Sequence, residues 1–122
     1  MSVYSVGMDV VEIRRIAELI ERHGERFLKR VYTDREIEYC RRKVNAASFA
    51  ARFAAKEAVL KAAGTGLNLG TRWRDVEVIN DARGKPRVHL SGKTAELLGH
   101  RRVHISLSHT EELAVAMVVV EE

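Results

Sequence analysis

The chain has 122 residues, long enough for one domain with a real core and too short for two. Its 46% hydrophobic and 31% charged residues exclude a disordered chain by composition, and its formal charge of +4 favours anionic partners such as nucleic acid, phosphorylated small molecules or an acidic protein. The single cysteine, Cys40, excludes an intrachain disulfide framework and a multi-cysteine metal site. A reduced, cytoplasmic setting is expected. No secretory signal is visible, because Asp9 and Glu12 interrupt the N-terminal apolar run.

Ser2 to Val11 is valine-rich and loosely alternating, so it predicts a strand in which Gly7 permits close backbone approach or a bend. Ile13, Ile16, Ala17 and Ile20 then recur at helical spacing, until Gly24 breaks the pattern and leaves Arg26 to a separate turn. Thr33-Asp34-Arg35-Glu36 has the form of a capping box and predicts a second helix to about Arg42, with Ile37 and Cys40 facing inward. Asn45 to Gly66 is alanine-rich, contains no proline and meets its first glycine at Gly64, which predicts a long helix closed by a glycine loop. At about 100° per residue, Phe49, Phe53 and Leu60 share one apolar stripe, flanked by Arg52 and Lys56 on one side and Glu57 and Lys61 on the other.

After a loop from Leu67 to Arg72 the period changes. Asp75 to Ile79 and Arg87 to Leu90 alternate across the turn residues Asn80 to Pro86, which predicts a hairpin with Pro86 at a strand start. Ser91 is placed to cap a short helix, Gly92 to Leu98, closed by Gly99. Val103 to His109 alternates strictly, and Leu113 to Val120 is a nearly apolar final strand, too short to span a bilayer; the two predict a second hairpin at the sheet centre. The sum is an α+β fold, an antiparallel sheet packed on a long central helix, with one domain over residues 1–122.

Two carboxylates, Asp9 and Glu57, come from elements that should both touch the core, where acidic groups need hydrogen bonds, a cation or a metal. Mg²⁺ suits one or two carboxylates completed by water and substrate phosphate. Asp9 reads equally as a helix N-terminal charge, and Glu57 with Lys61 as an i,i+4 surface pair. Arg42, Lys43, Arg52, Lys56 and Lys61 form either a polyphosphate cradle or a solvated basic face. Gly64-Thr65-Gly66 and Gly84-Lys85-Pro86 lack the spacing of a phosphate-binding fingerprint and stand alone as turns. His109 at a strand end suits phosphate or ribose binding, or a structural role.

Several stretches in order carry a resemblance. Val6-Gly7-Met8-Asp9-Val10-Val11-Glu12-Ile13 resembles the N-terminal signature of the holo-acyl-carrier-protein synthases, the small trimeric bacterial type of 4′-phosphopantetheinyl transferase. Arg52-Phe53-Ala54-Ala55-Lys56-Glu57-Ala58 with Lys61-Ala62 and Gly64-Thr65-Gly66 resembles their central motif. Asp75-Val76-Glu77-Val78 with Gly84-Lys85-Pro86, and Ser106-Leu107-Ser108-His109-Thr110 before Ala114-Val115-Ala116, match the later blocks. The likeness runs from Val6 to Val120, and Ser5 stands where the family often carries glycine.

The resemblance implies Mg²⁺-dependent transfer of 4′-phosphopantetheine from coenzyme A to a serine of apo-acyl carrier protein, in fatty acid biosynthesis, by a homotrimer with its site between subunits. It makes Asp9 and Glu57 the metal ligands, with Lys61 neutralising the pyrophosphate and protonating the leaving group. Arg52, Lys56, Lys61 and His109 would hold coenzyme A phosphates, with backbone from Gly64 to Gly66 and Gly84 to Pro86 around the nucleotide. Glu57 is the nearest proton acceptor for the serine, with Asp34 and Glu36 as alternatives. An acidic carrier protein would dock on Arg14, Arg15, Leu19, Arg22 and Arg26. The competing function, a small binding module for RNA or another polyanion suggested by the +4 charge, is disfavoured by an aromatic content of only 6% with no basic run interleaved.

Overall fold

A computed structural model describes residues 2–122 of the chain. The elements follow as β1 (Val3–Glu12), α1 (Ile13–His23), α2 (Glu25–Val31), α3 (Asp34–Arg41), α4 (Ala47–Ala62), a 3-10 turn (Trp73–Asp75), β2 (Val76–Asn80), β3 (Pro86–Leu90), α5 (Gly92–Leu98), β4 (Val103–His109) and β5 (Leu113–Glu121). The fold is the expected α+β, with one helix more than expected: Glu25–Val31 is helical where only a separate turn around Arg26 was expected. Two antiparallel sheets are present, β1-β5-β4 and β2-β3, so β5 holds the centre and β4 an edge. Among the described residues no helix is long and apolar enough to cross a membrane.

The centre is α4. Twelve of its sixteen residues are buried, which exceeds the stripe expected from Phe49, Phe53 and Leu60 and makes it an enclosed helix. Its alanines leave room for the sheet to approach: Gly7, Val11, Ala114, Ala116, Val118 and Val120 form the inner face of β1 and β5. Gly7 stands opposite Val118, Asp9 opposite Ala116 and Val11 opposite Ala114, so each cross-strand pair along the crossing contains a glycine or an alanine. Ser5 has a use that glycine would lack, since its hydroxyl donates to Ala62 O at 2.7 Å and satisfies a carbonyl in the last turn of α4.

The capping box of α3 forms, with Glu36 N donating to Thr33 Oγ1 at 3.3 Å and Thr33 N to Glu36 Oε1 at 2.9 Å. Gly24, at φ 55°, separates α1 from α2 and places Arg26 on the second helix. One cap differs from expectation. Ser91 makes no side-chain bond at the start of α5; the buried Asp75 accepts instead from Thr94 N at 3.4 Å and Thr94 Oγ1 at 3.1 Å.

Candidate active site

Asp9 enters the site from β1. Two residues earlier Gly7 lies against α4, where an added Cβ would meet the Ala58 carbonyl group, 2.9 Å from its carbon, and Ala62 N at 3.1 Å. The strand therefore passes directly over the last turns of α4. Asp9 Oδ1 accepts from Lys61 Nζ at 2.9 Å, and the same ammonium donates to Met8 O at 3.1 Å. Lys61 remains half exposed, so its charge can also meet a ligand.

Glu57 sits one turn before Lys61 on the same helix face. The two do not form the i,i+4 pair that local spacing allows. Lys61 is drawn to the strand, and Glu57 Oε2 accepts instead from the indole Nε1 of Trp73 at 2.8 Å. Trp73 was not a candidate on sequence grounds, although it is the chain's one tryptophan. Its ring packs on Phe53, centroids 5.8 Å apart, with the Arg30 guanidinium 5.8 Å from the ring centre. Trp73 also lines a cleft of about 550 Å³ with Lys29, Arg30, Thr71, Arg72 and Arg74, a cationic wall scattered too widely in sequence to be read as one.

Asp9 and Glu57 have the chemistry for a hard divalent ion. Among the described residues no group of three or more His, Cys, Asp or Glu side chains is placed to hold a metal. The protein would then offer two carboxylates, leaving water and phosphate oxygens to complete the shell, which is how Mg²⁺ is usually held. The donor set fits.

Arg52 lies apart from this seam, on the side of α4 facing α3 and β2. It is 5% exposed, its Nη2 donates to Asn80 Oδ1 at 2.8 Å, and its guanidinium stacks 4.5 Å from the Tyr39 ring centre. A cleft of about 250 Å³ opens here between Arg35, Tyr39, Arg42, Arg52 and Asn80. Asn80 Nδ2 in turn donates to Gly84 O at 3.1 Å, which brings the hairpin tip, Gly84 to Pro86, to the same region.

Lys56 corrects the expected phosphate cradle. Its side chain has no exposed surface, and its ammonium donates to Glu36 Oε1 at 2.7 Å, to Trp73 O at 3.3 Å and to Val76 O. Burial pushes the ammonium below the ordinary lysine range, while the Glu36 carboxylate pulls it back up. It is a core ion pair and reaches no ligand. Glu36 is equally committed, accepting also from Thr33 N at 2.9 Å and Val78 N at 2.7 Å, so it is no proton acceptor for a substrate. The amides of Gly64, Thr65 and Gly66 are taken up in closing α4, donating to Lys61 O at 3.0 Å and Leu60 O at 3.3 and 3.2 Å. That loop can shape a site but does not offer free N–H groups to a phosphate.

His109 ends β4 beside Ile13, Asn45 and Ala47, at the start of α4. Among the described residues no hydrogen bond or shared cleft joins His109 to Asp9 or Lys61. Arg14, Arg15 and Arg22 are exposed on α1 and Arg26 on α2, while Leu19 is half-buried against the core. Arg14 pairs with Glu18 at 3.4 Å.

The family model of the 4′-phosphopantetheinyl transferase superfamily matches residues 5–118. The chain belongs to that superfamily. A holo-[acyl-carrier-protein] synthase of Koribacter versatilis is 51% identical over 124 residues, covering 98% of this chain and 99% of the relative. The crystal structure of the holo-[acyl-carrier-protein] synthase from Neisseria meningitidis superposes with a TM-score of 0.87 at 34% identity, over 99% of this chain and 100% of that one. The Helicobacter pylori holo-[acyl-carrier-protein] synthase in complex with coenzyme A gives 0.86 at 31% identity, over 95% and 99%. The transferase fold thus extends over the whole seam where β1 crosses α4.

Proposed function

We propose that the chain, acting as one transferase domain over residues 1–122, moves the 4′-phosphopantetheine group of coenzyme A to a serine hydroxyl of an apo-acyl carrier protein. Adenosine 3′,5′-bisphosphate leaves. The observation that carries this reading is the Asp9–Lys61 ion pair where β1 crosses α4, with Glu57 one helical turn before Lys61, in a chain matched to the transferase superfamily over residues 5–118. Asp9 and Glu57 would hold Mg²⁺, which supplies charge stabilisation on the pyrophosphate.

The remaining chemistry belongs to the side chains. Serine oxygen displaces the bisphosphate at phosphorus, so negative charge grows on the leaving oxygen, and the Lys61 ammonium is exposed enough to turn from Asp9 to meet it and give it a proton. Glu57 is the proton acceptor nearest the seam; Asp34, on the surface, is held by Arg74 at 3.4 Å. Arg52, with Tyr39 and Arg42 around it, and the Gly84-Lys85-Pro86 tip form a second anion-binding region for the nucleotide end of coenzyme A. Thr65, between Gly64 and Gly66, shapes the approach.

His109 enters this reading only through a neighbouring copy. An apolar outer sheet face supports one: Val6, Met8 and Val10 of β1 and Met117 of β5 are exposed on the side away from α4. A homotrimer packed through this face would bring one subunit's His109 to another's nucleotide region. The exposed arginines Arg14, Arg15, Arg22 and Arg26, with Leu19, form the docking face for an acidic carrier protein in the cytoplasm, at the entry to fatty acid biosynthesis.

Mass spectrometry of apo-acyl carrier protein incubated with this protein, coenzyme A and Mg²⁺ tests the reading. The expected result is the mass gain of one phosphopantetheine. No gain, beside a control transferase that modifies the same sample, refutes it.

A further inference from the structure

Trp73 is held far more firmly than a surface tryptophan needs. Its backbone belongs to the 3-10 turn, whose end is fixed by the buried Asp75, and the Trp73 carbonyl accepts from the buried Lys56 at 3.3 Å. Its ring lies on Phe53, a residue of α4 four positions before Glu57 and so on the same helix face. The Arg30 guanidinium bounds the ring again, 5.8 Å from its centre. Indole has one donor and no acceptor, and here that donor points at one atom, Glu57 Oε2, at 2.8 Å.

We infer that Trp73 is the positioning residue of the metal site, its indole N–H fixing the rotamer of Glu57 so that the carboxylate faces the divalent cation shared with Asp9. The inference rests on Glu57 as a metal ligand in the proposed function. A half-buried glutamate on a helix edge still has three side-chain torsions, and a fixed donor is what holds it in one well. Among the described residues no other hydrogen bond reaches the Glu57 side chain. The indole alone selects the conformer, leaving Oε1 unengaged. Lys56 then has a part in the site although it touches no ligand: with Glu36 it anchors the turn from which the indole projects. Partners of this kind typically change metal affinity by about 10–100-fold when removed.

The sequence supplies its own probe, because Trp73 accounts for all tryptophan emission. Titrating the wild-type protein with paramagnetic Mn²⁺ should quench that emission saturably, Mg²⁺ should reverse the quenching by competition, and Glu57→Gln should abolish it. Emission indifferent to Mn²⁺ in the wild type overturns the inference without any variant having to fold. Trp73→Phe keeps an aromatic ring against Phe53 and removes only the donor. Direct Mn²⁺ binding by electron paramagnetic resonance should weaken about tenfold or more in this variant. The Mg²⁺ concentration for half-maximal transfer should rise in step, with the rate at saturating Mg²⁺ close to wild type. A purely structural tryptophan would lower the melting temperature or the rate at every metal concentration and leave the metal midpoint alone, and that outcome also overturns the inference. Absence of transfer by the wild type would remove the proposed reaction, while the Mn²⁺ measurements would still decide the role of Trp73.

Discussion

Gly7→Ala places a methyl group at the crossing of β1 and α4. Gly7 has no positive φ, so the new residue is acceptable to the backbone and the whole effect is steric. The added carbon would lie 2.9 Å from the carbonyl carbon of Ala58 and 3.1 Å from Ala62 N, whereas carbon atoms in contact sit about 3.5–4.0 Å apart. The Ala58 carbonyl oxygen lies nearer still, and all of these obstacles are helix backbone that cannot rotate away, so β1 must withdraw by more than about 1 Å, a gap that forfeits about half of the dispersion attraction along the crossing. Overpacking of this kind costs about 1–3 kcal/mol, and backbone obstacles put this site at the upper end, near 3 kcal/mol. Asp9 is two residues along the displaced strand, so its distance to Lys61 grows with it, and a displacement of this size in a reacting geometry costs on the order of 100-fold in rate. Urea unfolding followed by circular dichroism gives the first quantity, and transfer kinetics on the folded fraction the second. A variant within 0.5 kcal/mol of wild type (about the noise of a neutral surface change) with unchanged turnover would show that the strand does not bear on α4 as described.

Three further outcomes follow from the same geometry. Lys56→Met should destabilise the protein by about 3–5 kcal/mol, because Glu36 is left charged without its cation in the core, and Lys56→Met with Glu36→Leu should recover only part of that loss, since Val78 N and the α3 cap lose their acceptor. Chemical denaturation of the four proteins of the cycle checks this, and a single mutant as stable as wild type would contradict a buried pair. Burial pushes the Cys40 thiol from 9.0 up to about 11, so its contribution to stability should be fully present below pH 9 and be lost between pH 9 and about 11 as the unfolded chain releases its proton first; thermal melts of Cys40→Ala should lack this part of the slope. Arg15→Glu should raise KM for the carrier protein more than KM for coenzyme A, with the difference shrinking as salt increases, and equal effects on both substrates would remove α1 as the docking face.

Much of the architecture was legible in the order of residues because its causes are local. Thr33 and Glu36 cap each other across three residues, Gly24 breaks a helix by its own backbone freedom, and the alternations at Val76–Asn80 and Val103–His109 are set by the pleat. The motif around Glu57 and Lys61 identified the α4 seam, and its likeness to one family named the chemistry to look for. Cap partners that come from afar were not legible: Asp75, and not the adjacent Ser91, serves the start of α5.

Sequence alone fixed which residues carry charge and which element each belongs to, since helix, strand and turn depend on neighbours a few positions away. Where those charges point was decided by the tertiary structure. Lys56 and Lys61 are five positions apart on one helix, yet α3 and β2 enclose the first against Glu36 while β1 leaves the second half exposed beside Asp9. Glu57 could have paired with Lys61 by spacing; it bonds instead to an indole sixteen residues away, because a rigid turn brings that donor within 2.8 Å. The physical reason is the short range of the forces involved: a hydrogen bond or ion pair depends on a few ångströms of separation, and only the packed fold sets that distance between residues remote in the chain.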